Sequence, residues 1–158
     1  MTEMPADGSA LAAELERERD RFLEALSAVS PESMTTPGLV GEWSAREIIA
    51  HLGYWAGHAV ETIHAVEQGR IEADEPDTDA VNETVARVAR ATDLETVRKR
   101  EAASAAALIE RLHSVVPDLL LVELPEGDTV LEAVRDDGAS HYREHADELR
   151  RALGGGRS

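Results

Sequence analysis

The sequence predicts an all-α bundle of four long helices plus one shorter helix, with a long loop before the last helix. Three observations predict it. Apolar residues recur at three- and four-residue spacing through most of the chain. Three boxes, Ser44/Glu47, Thr92/Glu95 and Thr129/Glu132, each stand in front of such a stretch. In a box of this kind the hydroxyl and the carboxylate each satisfy a backbone N–H that the first helical turn leaves unbonded. The apolar run best suited to a strand, DLLLVELPEGD at 118–128, is interrupted by Pro125 and Gly127 and has no partner strand. It reads as an extended loop over the end of the bundle.

Residues 1–9 read as a flexible leader and 154–158 as a flexible glycine-rich tail, around a single domain at 10–153. The first helix runs from Ala10 to Val29 with Leu11, Leu15, Phe22, Leu26 and Val29 inward, and stops before Pro31. The second starts after Ser44, with Trp43 and Ile48 at the spacing of a hydrophobic staple. Its stripe is Ile48, Leu52, Trp55, Ala59, Ile63 and Val66, and Gly69 is its stop. The acidic segment IEADEPDTD at 71–79 is a loop. A shorter helix follows at about 77–90 with Val81, Val85 and Val88 on one face. The helix opened by Thr92 carries Leu94, Val97, Ala105, Leu108, Leu112 and Val115 inward and ends at Pro117. The last helix runs from Thr129 to Leu153.

A length of 158 residues suits one domain with a sizeable core. The chain has no cysteine, which removes disulfides, thiolate metal sites and any protein-borne sulfur nucleophile. No run of 18 apolar residues exists, and the N-terminus does not follow a basic-then-apolar pattern, so neither a membrane partner nor a signal peptide is expected and the cytoplasm is the default location. With 32 acids against 16 bases the formal charge is −16. A field of that sign repels phosphate backbones, so no nucleic-acid partner is expected.

The unusual stretch lies in the last helix. His141 and His145 are four apart and stand where a core helix ordinarily carries Leu or Ile. Two imidazoles one turn apart can reach a single metal ion about 2 Å from each nitrogen. A third ligand must come from a facing helix, and His51, on the edge of the second helix's stripe, is best placed. His58 follows along the same edge and is a candidate pocket base. His64 and His113 lie beside their stripes with no partner one turn away and read as surface residues. HYREH at 141–145 also matches the H-x-x-E-H pattern of inverzincin proteases. Those proteases take a further acidic ligand from well downstream, and little chain follows His145. The protease reading is set aside.

The segments EWSAREIIAHLGYWAGH at 42–58, Asn82 within DAVNETV, and HYREHADELRRAL at 141–153 resemble the DinB-like (YfiT-like) metalloenzymes. That resemblance covers nearly the whole chain in helix order. It implies a four-helix bundle holding a divalent metal on His51, His141 and His145. Related branches include mycothiol-dependent maleylpyruvate isomerases, bacillithiol transferases and ClbS-like self-protection proteins. The resemblance also implies that a homodimer can form, although helix exteriors this charged offer no evident apolar patch for one.

Three neutral histidines leave a coordination position open, the arrangement of a catalytic rather than a structural site. A divalent transition metal is expected, zinc or nickel first, although nitrogen donors suit iron and copper alike. The position has room for a small-molecule substrate beside a water or a low-molecular-weight thiol. Three activities are expectations: thiol-dependent transfer or isomerisation, which the resemblance implies, metal-assisted hydrolysis, and non-catalytic binding or self-protection. Trp55 and Tyr142 are candidates for the pocket mouth, although an aromatic at helical spacing is more often a core residue. Glu144 is a candidate general base or partner of His141, or else a surface acid beside Arg143. Glu47 has the spacing to orient His51 besides its capping role. Gly138, one turn before His141, either clears space for a ligand or breaks the last helix in two.

Overall fold

The capping boxes set where two of the helices begin. In a computed structural model that describes residues 7–71 and 77–154, Ser44 and Glu47 close the N-terminus of α2 (Ala45–Glu67), and Thr129 and Glu132 close that of α6 (Val130–Asp137). The other helices are α1 (Gly8–Leu26), α3 (Thr78–Arg90), α4 (Leu94–Ser114), the single turn α5 (Pro117–Leu120) and α7 (Ala139–Gly154). Among the described residues no strand forms, only the isolated bridges Val40–Trp43 and Glu123–Thr129.

The bundle pairs α2 with α4 and α1 with α7, and α1 also lies on α4. Leu11, Leu15, Phe22, Ile48, Leu52, Ile63, Leu108, Leu112 and Leu149 fill the space between them. Each fully buried side chain of this size contributes roughly 1.5–3 kcal/mol of transfer free energy. Gly53 brings α2 and α4 together: a Cβ there would lie 3.0 Å from Glu101 Cα. The segment between α5 and α6 is sealed onto the core by Leu120 and Val130, with a backbone bond from Val130 N–H to Val122 O at 2.9 Å.

Four expectations are corrected. The first helix starts at Gly8, capped by the Asp7 carboxylate, and Gly8 is buried against Leu112 and Val115 of the α4 end. The fourth helix is capped by Asp93, which accepts from Thr96 N–H at 3.0 Å. Thr92 belongs to the preceding turn instead, where its hydroxyl donates to Val88 O. On α3 the buried residues are Ala86 and Ala89, while Val88 is 53 % exposed, because small residues let this helix lie close on α2. The last helix is two helices. Gly138 ends α6 with φ −108° and ψ −101°, and α7 begins at Ala139.

One buried ion network was not anticipated. Glu101 of α4, 3 % exposed, takes a two-pronged contact from Arg19 of α1 at 2.7 and 2.9 Å, and the Tyr142 hydroxyl of α7 donates to the same carboxylate. It joins three of the four long helices through one charge.

Candidate metal centre

His51 projects from the second turn of α2, and His141 and His145 from successive turns of α7. The fold brings the three rings together. Ring centroids are 4.5 Å apart for His51–His141, 5.0 Å for His51–His145 and 4.9 Å for His141–His145. One ring nitrogen from each lies within 4.8 Å of the others, and the Nε2 atoms of His51 and His141 face each other at 2.7 Å.

The surroundings hold two of these rings in the neutral, ligating form. Burial, then the nearby His141 and His145, pushes His51 down to about 3, and burial, then His145, pushes His141 down to about 4. His145 is oriented by Glu148, whose carboxylate lies 2.9 Å from Nδ1 and leaves Nε2 for the cluster. A carboxylate behind a ligating imidazole fixes its tautomer and raises its basicity. Glu148 was not singled out from the sequence, though its i,i+3 spacing from His145 was a usable signal.

The cluster's own hydrogen bonding is incomplete. His51 Nδ1 and His141 Nδ1 are buried with no partner. Buried polar atoms are nearly always satisfied, at a cost of about 1–3 kcal/mol when they are not. The donor set that fits a divalent transition ion is a different one, the three convergent imidazole nitrogens.

A cleft of about 450 Å³ opens beside the rings. Trp43 and Trp55 form its walls, Trp43 resting 5.2 Å from His51 between ring centroids. Asn82 and Thr78 close it from α3, and Asn82 Oδ1 accepts from Trp55 Nε1 at 2.8 Å. This supplies a contact for Asn82, whose role could not be derived from spacing. Asp136, Asp137 and Glu144 line the remaining side. Asp137 pairs with His58 Nδ1 at 2.8 Å, and burial raises its pKa more than His58 lowers it. His58 thus meets the cleft through Asp137, and Glu144 sits exposed on the rim.

Three further candidates are not among the lining residues of the cleft. Tyr142, a candidate for the pocket mouth or the core, is fully buried on the core side of α7, where its hydroxyl donates to Glu101. Gly138 faces the core: a Cβ there would meet Val134 O at 3.1 Å and Leu108 Cδ2 at 3.3 Å, so it clears no space beside the rings. Glu47 does not orient His51. Its carboxylate is held by Ser44 and by Arg90 Nε at 3.1 Å, which pins α3 to α2. His64 and His113 are exposed. A second groove of about 530 Å³, largely apolar, runs further along α3 toward α4 and holds none of the histidines.

Fold and site together define a helical-bundle protein with a cleft on which three histidines converge. The chain belongs to the DinB superfamily, whose sequence profile matches residues 14–150. Among solved structures it is similar to an uncharacterised protein of Escherichia coli UTI89, with a TM-score of 0.79 and 15 % identity over 97 % of this chain and 96 % of that one. It is also similar to the colibactin self-resistance protein ClbS, solved in complex with double-stranded DNA, with a TM-score of 0.78 and 16 % identity over 95 % of this chain and 97 % of that one. No curated protein sequence matches the chain.

The ClbS complex corrects the expectation that nucleic acid is excluded. Net charge sums the whole surface, whereas a phosphate backbone meets a local field, so a total of −16 does not rule out DNA for a protein of this fold. No helix among the described residues is long and apolar enough to cross a membrane.

Proposed function

We propose that this protein is a metal-dependent enzyme for a small electrophile, with His51, His141 and His145 holding a divalent ion, zinc or nickel. The observation that carries the reading is the convergence of three imidazoles, two buried and one half-buried, with one nitrogen of each within 4.8 Å of the others. When bound, such an ion keeps an open coordination position and supplies Lewis acidity to a nucleophile there. The protein's own residues do the rest. Glu148 fixes the His145 ring, Trp43 and Trp55 shield the open side from bulk water, and the Asp137–His58 pair can store a proton at the cleft edge. Without cysteine in the chain, a sulfur nucleophile has to be a low-molecular-weight thiol, as in the thiol-dependent branches of the family; water is the alternative.

Elemental analysis of the purified protein tests the site. The expected result is about one zinc or nickel per chain in the wild type and none in His51→Ala or His145→Ala. A folded wild type that takes up neither ion would overturn it. Turnover of electrophiles by the loaded protein, with and without added thiols, then separates transferase from hydrolase.

A second reading is a non-catalytic binding or self-protection protein, supported by the likeness in fold to ClbS. Under it the loaded protein retains a ligand stoichiometrically without converting it. A duplex-DNA mobility shift at low salt belongs in the same experiment.

A further inference from the structure

We propose that the cleft selects small molecules carrying a cationic group, an ammonium or a guanidinium, a few bonds away from the atom that meets the histidines. The inference rests on the metal-centre reading and narrows its substrate class.

The lining is unbalanced in charge. Asp136, Asp137 and Glu144 face the cleft, and no Lys or Arg is among its described lining residues. Two acids near the rings are already committed, Asp137 to His58 and Glu148 to His145. Asp136 and Glu144 are exposed and form no ion pair among the described residues. The convergence of His51, His141 and His145, one nitrogen of each within 4.8 Å of the others, marks where a ligand's donor atom would approach. An ion on the three imidazoles makes the floor positive, while the rim stays negative. A ligand matching both has an electron-rich donor inward and a cation outward.

The walls reinforce this. Trp43 and Trp55, the two tryptophans of the chain, both line the cleft. Indole faces attract ammonium and guanidinium groups, and do so more strongly as water is excluded. An anionic tail of the same length would meet two unpaired carboxylates and no compensating base. Repulsion of the wrong charge is as much a specificity device as attraction of the right one.

Because both tryptophans border the site, intrinsic fluorescence reports its occupancy. The zinc-loaded full-length protein would be titrated with three hydroxamates of one chain length, ending in an ammonium, a methyl or a carboxylate. Zinc content would be measured in the same samples. The ammonium ligand should bind about tenfold more tightly than the carboxylate ligand, with the methyl ligand between them. The preference should shrink as salt rises. In the double variant Asp136→Asn/Glu144→Gln it should fall to within about threefold while zinc stays bound, since both side chains are exposed and ligate nothing. Equal or tighter binding of the carboxylate ligand, a preference unchanged in the double variant, or no binding of any hydroxamate to zinc-loaded protein would overturn the charge selection and leave the metal centre standing. Protein that takes up no zinc would overturn both.

Discussion

Tyr142 follows His141 in α7, yet the two side chains end in opposite kinds of polar cluster. Tyr142 closes a network with Glu101 and Arg19 in which the carboxylate is fully engaged: two bonds from the guanidinium and one from the phenol. His141 joins a ring of imidazoles in which two buried nitrogens have no partner. Both clusters are paid for by the same apolar core. A buried charge with its partners complete acts as a fastener between helices, while three convergent imidazoles offer more donors than the chain itself uses. The contrast separates structure from function within one turn of one helix.

The largest expected effect comes from opening the closed cluster. Glu101→Ala leaves the half-buried Arg19 guanidinium and the buried Tyr142 hydroxyl without their carboxylate and should lower stability by about 3 kcal/mol, measured from the denaturant midpoint. Zinc content of the folded fraction should not change. A loss of zinc on that substitution would mean that the two clusters are one unit, and the contrast would fail.

The next effect tests the open cluster through pH. His51 lies near 3 and His141 near 4, against an ordinary 6.5. Both rings bind protons only after unfolding, so their contribution is complete above 6.5 and is lost as pH falls toward 4 and then 3. For metal-free protein the expected loss between about pH 7 and about pH 5 is about 2 kcal/mol per ring. Stability curves for wild type and His51→Leu would show it, the variant being the flatter by one ring. Identical slopes would mean that His51 is not held neutral by the fold.

The smallest effect sharpens the line between neighbours. Tyr142→Phe removes one donor from an otherwise intact ion pair and should cost about 1–2 kcal/mol, seen in the thermal midpoint. It should leave zinc stoichiometry untouched.

Much of the site was readable because it depends on local rules. The four-residue spacing of His141 and His145 puts both on one face of a helix whatever that helix packs against, and the Ser44 box fixes where α2 starts and hence the phase of His51. Glu101 shows the limit. It stands in the inward row between Val97 and Ala105, so an acid at a core position was visible, but its partners lie on two other helices. Glu148 and the Asp137–His58 pair were missed for related reasons: an acid on a charged helix reads as solvated until the packing shows what it faces.

The helical class, the histidine spacing and the absence of a protein thiol were determined by the sequence alone, because periodicity, capping and composition act within a few residues. Tertiary structure decided the rest. It turned Tyr142 into the core and His141 into the cleft, made Gly138 a break, gave Glu47 to Arg90, and gathered Asp136 and Glu144 beside two tryptophans. Those outcomes depend on which helix faces which and at what angle. That is a property of how side chains from distant parts of the chain fit together, and local spacing does not encode it.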